Sequence, residues 1–143
     1  PSLSDFMIEP HVQLRAYFDA GMSYEAYLQL HQDLVKQGKT TGPDQSEGMV
    51  AYTKMNWHRI ERVSKTVQLT KGLKEVLDQL DKPVKWLVIS EVWCGDAAQS
   101  LPILSMMAEY NAHIDLRLVL RDEHPDLINQ FLTKGSKSIP KLI

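Results

Sequence analysis

The order of apolar and polar positions divides the chain into helices first and strands later. Val12, Leu14, Tyr17 and Phe18 recur at roughly helical spacing after Pro10, and Gly21 ends that run. Ser23 can cap the next helix, because its side-chain oxygen can take an orphan N–H of the first turn. That helix is predicted over residues 24–37, with an apolar stripe of Tyr24, Tyr27, Leu28, Leu30, Leu34 and Val35, and Gly38 supplies the stop. The tyrosines either line a groove or pack on a neighbouring helix, and a stripe of this kind is ordinarily core. Residues 39–48, KTTGPDQSEG, form a loop rich in Gly, Pro and small polar side chains. A third helix is predicted over residues 49–65, with Val50, Met55, Trp57, Ile60 and Val63 apolar. Lys54, His58, Arg59, Arg62 and Lys65 make it the most basic segment. That face reads as solvated, with Glu61 among its cations; the functional alternative is attraction of an anionic partner. Val67 and Leu69 predict the start of a short strand. Leu73, Val76, Leu77 and Leu80 predict a fourth helix over about residues 70–80, with Thr70 as its cap.

From Val84 the period changes. Val84–Ser90, VKWLVIS, carries a single charge, Lys85, and reads as a strand buried on both faces. Glu91-Val92-Trp93-Cys94-Gly95-Asp96 follows, and then a helical pattern over residues 97–110. Residues 113–121 alternate, with Ile114, Leu116, Leu118 and Leu120 on one face and Asp115 and Arg117 on the other. This is a second strand, parallel to the first because a helix joins them, with a right-handed crossover. Asp122 and Pro125 open a short helix through Leu132, Gly135 ends it, and Ser136 to Ile139 leads to Pro140.

Composition narrows the function classes. At 143 residues the chain is long enough for one domain with its own core. A net charge of −2 gives no basic footprint, which disfavours nucleic acid as a partner. No apolar run approaches the roughly 20 residues of a membrane span, and the first 20 residues lack the pattern of a signal peptide. One cysteine excludes an internal disulfide, and with the missing signal this predicts a cytoplasmic protein. Cys94, Asp96, His113 and His124 are the nearby metal-ligand types, and none has ligand spacing, so no metal is expected. His11, His31 and His58 fall on helices and read as surface or packing residues.

The chemistry-bearing position is Cys94. It sits where a buried strand hands over to a helix, and the unpaired N–H groups of a helix start favour a thiolate, so its pKa is expected to fall. Asp96 and Glu91 oppose that, since nearby carboxylates disfavour a second negative charge, and the sequence does not decide which pull wins. Gly95 permits a tight turn, and Trp93 offers a flat apolar wall.

Trp93-Cys94-Gly95-Asp96-Ala97 resembles the active-site motif of the thioredoxin superfamily with the second cysteine replaced by Ala97. Pro102, eight residues after Cys94, matches the family's helix-kinking proline, and Ser138-Ile139-Pro140 resembles the loop holding its cis-proline. The order of strand, Cys, helix, strand, helix and Pro-strand agrees. The W-C-G-D-A run with a long helical N-terminus looks most like bacterial thioredoxin-like proteins with a single-cysteine motif and a helical N-terminal extension. The resemblance implies an α/β thioredoxin-like fold, with residues 1–64 as the helical extension and 65–143 as the core. It also implies a hairpin and a last helix beyond Pro140, of which Lys141-Leu142-Ile143 is only the beginning. A chain ending there would leave an open apolar edge, with instability or a strand contact to a second copy as the expectation.

A dithiol oxidoreductase attacks with one cysteine and resolves the mixed disulfide with another. Ala97 resolves nothing. The resemblance places a buried Asp six residues before the cysteine, and Val88 stands there instead. The two absences are mutually consistent. What remains is a monothiol: Cys94 as nucleophile, forming mixed disulfides with protein thiols or with glutathione as co-substrate, and with no bound cofactor. Trp93, Gly95, Asp96, Ala97, Ile139 and Pro140 would form the binding groove. The alternative is a non-catalytic module that holds a partner in the Trp93/Pro140 groove.

Overall fold

The computed structural model describes residues 13–143; the expectations placed on Val12 and the residues before it lie outside that range. Residues 13–20 are helical (α1). Tyr24–Gln37 forms α2, Glu47–Thr66 α3 and Lys71–Asp78 α4. Val84–Ser90 is β1, Gly95–Tyr110 is α5 and Ile114–Leu120 is β2. A 3₁₀ turn at Arg121–Glu123, the short helix α6 at Pro125–Ile128 and a two-residue strand β3 at Lys141–Leu142 complete the order.

The caps are those the side chains demand. Ser23, Ser46 and Thr70 accept the N–H of Ala26, Met49 and Leu73, which starts α2, α3 and α4. Gly38 closes α2 in the left-handed region at φ 66°. Two sequence expectations fail. Val67 and Leu69 form no strand: the Val67 N–H goes to Val63 as the last bond of α3, and Thr70 opens α4 three residues later. The helix expected through Leu132 stops at Ile128, because residues 129–136 fold into turns. The second of these turns, at Lys134 (φ 50°) and Gly135 (φ 79°), is closed by the bridge between Thr133 and Ser136.

The sheet has the order β2-β1-β3. β1 and β2 pair in parallel from Val84 with Ile114 to Ser90 with Leu120. β3 runs antiparallel to β1, with Leu142 opposite Val88. Met22 adds an antiparallel bridge on the far side of β2, at Leu118. Side chains alternate across a strand, so successive residues serve different layers. Val88, Leu116, Leu118 and Leu120 join Tyr27 of α2 and Ala97 and Leu101 of α5 in one cluster, which also holds Cys94. Leu87, Ile89 and Val119 point the other way, to Phe18 of α1 and Leu127 and Ile128 of α6. Fully burying side chains such as Leu101 and Leu118 stabilises the fold by about 2–3 kcal/mol each. The core therefore has two layers, and the sulfur belongs to the layer capped by α2 and α5.

Candidate functional site

β1 ends at Ser90, and the next four residues carry the chain to the first turn of α5. Cys94 is the N-cap of that helix: its sulfur accepts the Ala97 N–H at 3.5 Å. On the opposite side the thiol donates to the carbonyl of Ile139 at 3.5 Å. The Ile139–Pro140 peptide bond is cis. The distant proline loop therefore faces the sulfur across a single hydrogen bond. Trp93, Gly95, Asp96, Ala97 and Ile139 all lie around Cys94, and Pro140 follows Ile139 in the loop above it.

Two expectations about the thiol are corrected. Its pKa is raised, not lowered, because burial is the largest influence: Cys94 is only 9% exposed, and a thiolate there loses its hydration. The amides of Ala97 and Asp96 pull the other way and are outweighed; the Asp96 carboxylate adds to the rise, and Arg121 opposes it. Glu91 is not the second opposing carboxylate. It is 1% exposed, and its carboxylate accepts the Thr41 hydroxyl and, at 2.9 Å, the Asp122 N–H. Its pKa is raised, first by burial. Val88, at the place of the family's buried Asp, is fully enclosed in the apolar cluster.

Glu91 organises one wall of the site. Through Thr41 it draws in the 39–46 loop, and Thr41 also accepts the Val92 N–H at 3.3 Å. Gly42 in this loop has φ 83°, and a Cβ there would lie 2.8 Å from the Asp122 carboxylate and 3.7 Å from Trp93 Nε1. Only glycine meets both demands. Arg121 places its guanidinium 4.9 Å from the Trp93 ring centre, while its Nη1 donates to the Lys137 carbonyl at 3.2 Å. A single side chain thus ties the indole to the segment that ends in Ile139–Pro140.

The other wall comes from α3. Asn56, fully buried, donates to the Val92 carbonyl at 3.0 Å and accepts from Arg59 Nη1 at 2.9 Å. Met49, Tyr52 and Arg59 join Trp93, Cys94, Gly95 and Asp96 around an open cleft of about 400 Å³. Sequence reasoning missed Asn56, Arg121 and the Thr41–Glu91 contact, and named Arg59 only as one cation of the basic face of α3. The available signal was Asn56, a poor helix former in the middle of a helix among apolar neighbours. Of the basic face expected on α3, Lys54, His58, Arg62 and Lys65 are exposed, whereas Arg59 turns inward. Among the described residues no cluster of three or more His, Cys, Asp or Glu could hold a metal ion, and no helix is long and apolar enough to cross a membrane.

Comparison with known proteins agrees with this geometry. Two crystal structures share the fold. One is an HIV epitope-scaffold, 19% identical, with a TM-score of 0.63, over 90% of this chain and 67% of that one. The other is a protein of unknown function, PA1234, from Pseudomonas aeruginosa, 18% identical, with a TM-score of 0.59, over 88% of this chain and 65% of that one. The chain thus spans about two thirds of the length of each. No curated protein matches the sequence. The sequence model of the thioredoxin family matches residues 42–143, which takes in α3 and the loop before it as well as the strand, cysteine and proline loop. The chain belongs to the thioredoxin family.

Proposed function

We propose that this protein is a monothiol of the thioredoxin fold that exchanges disulfides slowly through Cys94. The observation that carries this reading is the position of the sulfur. It lines an open cleft while touching both the Ala97 amide in the first turn of α5 and the carbonyl before Pro140. In the proposed step the Cys94 thiol loses its proton to solvent, and the thiolate attacks one sulfur of a disulfide. A new S–S bond forms at Cys94, the old one breaks, and the second sulfur leaves as a thiolate. No electrons come from outside, because the incoming disulfide is the oxidant. Ala97 offers no thiol to resolve the product, so an external thiol such as glutathione must release it. Asp96 and Gly95 bound the cleft, Trp93 supplies an apolar wall, and the Ile139 backbone is the edge beside which an extended substrate would lie.

A second reading has one specific observation in its favour, the raised pKa of Cys94. In it the thiol stays protonated and the Trp93/Pro140 groove holds a partner without covalent chemistry. Alkylation of Cys94 against pH, with glutathione-adduct formation followed by intact mass, separates the two. A thiol with a raised pKa gives a rate that climbs with pH to a midpoint above the roughly 8.5 of a free thiol. The exchange reading expects that midpoint together with an adduct that dithiothreitol removes. Absence of any adduct with glutathione disulfide, even above the midpoint, removes the exchange reading and leaves the binding module.

A further inference from the structure

The cleft beside the sulfur has a cation in its wall that no part of the exchange step uses. Arg59 is half-buried, and Asn56 holds its Nη1 from behind at 2.9 Å. Asn56 is itself anchored to the Val92 carbonyl, two residues before Cys94. The guanidinium is therefore not a free surface arm but is set against the start of α5. A Cβ on Gly95 would lie 2.9 Å from Arg59 Nη1. Among the described residues no carboxylate stands within ion-pair distance of it. Asp96 is the one acidic side chain lining the cleft. The remaining wall is Met49, Tyr52 and Trp93, with Tyr52 51% exposed. A positioned, unpaired guanidinium with four N–H donors to spare, next to aromatic faces and a thiol, matches a planar carboxylate carried on a disulfide.

We infer that this cleft is a substrate subsite for disulfides bearing a carboxylate, with Arg59 receiving the carboxylate while Cys94 takes the sulfur. The inference rests on the exchange reading above. It gives α3 a role in selecting substrate. Arg59 does not figure among the charges that act on the Cys94 pKa, whereas Arg121 and Asp96 do. Its proposed role is to hold the carboxylate, in the same cleft that Cys94 lines.

Two aromatic disulfides separate charge from reactivity: 5,5′-dithiobis(2-nitrobenzoate), which carries a carboxylate on each ring, and 4,4′-dithiodipyridine, which is neutral at pH 8. The readout is the ratio of their rate constants with the intact chain, normalised to the same ratio for a free small thiol. The wild type should favour the carboxylate reagent, and Arg59→Gln should lower the ratio by about fivefold, the scale of one partly exposed ion pair. Arg59→Lys should restore part of it, since the charge returns without the fork. Gly95→Ala keeps the guanidinium but displaces it, and should lower the ratio as well. A ratio equal to that of the free thiol, or one unchanged by Arg59→Gln, overturns the subsite and leaves the exchange reading standing. Failure of Cys94 to react with even the neutral reagent overturns both. If the ratio responds, glutathione disulfide against cystamine extends the comparison to natural thiols, with the same order expected.

Discussion

Two buried polar side chains three residues apart follow the central strand, and they are treated in opposite ways. The Glu91 carboxylate is closed in by matched donors, from Thr41 and from the Asp122 amide, and the loops that carry those donors fold over it. The Cys94 sulfur has two long contacts of 3.5 Å, one as donor and one as acceptor, and a cleft in front of it. A fully satisfied buried network specifies structure, because removing one member strands the others without water. A largely buried sulfur with weak partners, in the wall of a cleft, is freer to exchange them. The contrast assigns Glu91 to holding the site together and Cys94 to whatever the site does.

The largest way to break that contrast is to truncate Glu91. Glu91→Ala leaves the Asp122 N–H and the Thr41 hydroxyl without their acceptor and opens a cavity, so it should destabilise the fold by about 3 kcal/mol. Chemical denaturation at pH 7 measures this. Glu91→Gln keeps an acceptor for Asp122 and should lose about 1 kcal/mol. A Glu91→Ala midpoint equal to the wild type would show that the network is not structural. The pH dependence follows from the raised pKa. A protonated Glu91 favours the folded state below the unfolded carboxyl value of about 4.3, and that share is lost as pH rises through the higher folded value. Glu91→Gln should remove this slope.

Asn56 is next in size, and it sharpens the comparison because it serves both walls. Asn56→Ala leaves the Val92 carbonyl without its buried donor and frees Arg59 from its brace. The expected loss is about 2 kcal/mol of stability. The carboxylate preference at Cys94 should fall with it, though the charge remains. Asn56→Asp separates the two effects: it removes the Val92 donor and gives Arg59 an ionic partner, so the preference should fall further than in Asn56→Ala. A stable Asn56→Ala protein with its preference intact would show that Arg59 is positioned by something else.

The fold was legible because its periodicities are local. The spans of α2, β1 and β2 follow from stripe, cap and alternation, and the W-C-G run with Pro102 and Pro140 points to one family. What escaped depends on contacts across long separations. Nothing in the neighbourhood of Glu91 announces that Thr41, fifty residues earlier, will cover it. The net direction of the thiol shift was not legible, because a helix start and nearby carboxylates can be read from sequence, whereas the desolvation that decides the outcome depends on α2 and the proline loop packing around the sulfur. The basic face of α3 was read as solvated in preference to attracting an anionic partner, since sequence cannot show that a buried Asn56 would turn one of its cations inward.

His31 tests the same contrast at its smallest scale, in the interface between α2 and α3. The ring is 1% exposed, with Nε2 on the Thr53 carbonyl at 2.8 Å and Nδ1 without a partner. Its neighbours there are the rings of Tyr27 and Trp57, neither of them charged. Burial pushes its pKa below the ordinary value, against the Thr53 hydrogen bond. The unfolded chain therefore takes up a proton near pH 6.5 that the folded chain refuses. Stability from this residue is complete above pH 6.5 and is lost as pH falls toward the lower folded value. Denaturation of the wild type at pH 7.5 and 5.5, beside His31→Gln, isolates the effect. Gln can still donate to Thr53 and does not titrate, so the difference between the two proteins should shrink on acidification. An unchanged difference would mean that the orphan Nδ1 can be protonated in place, and that this half-satisfied histidine belongs with the open sulfur and not with the closed carboxylate.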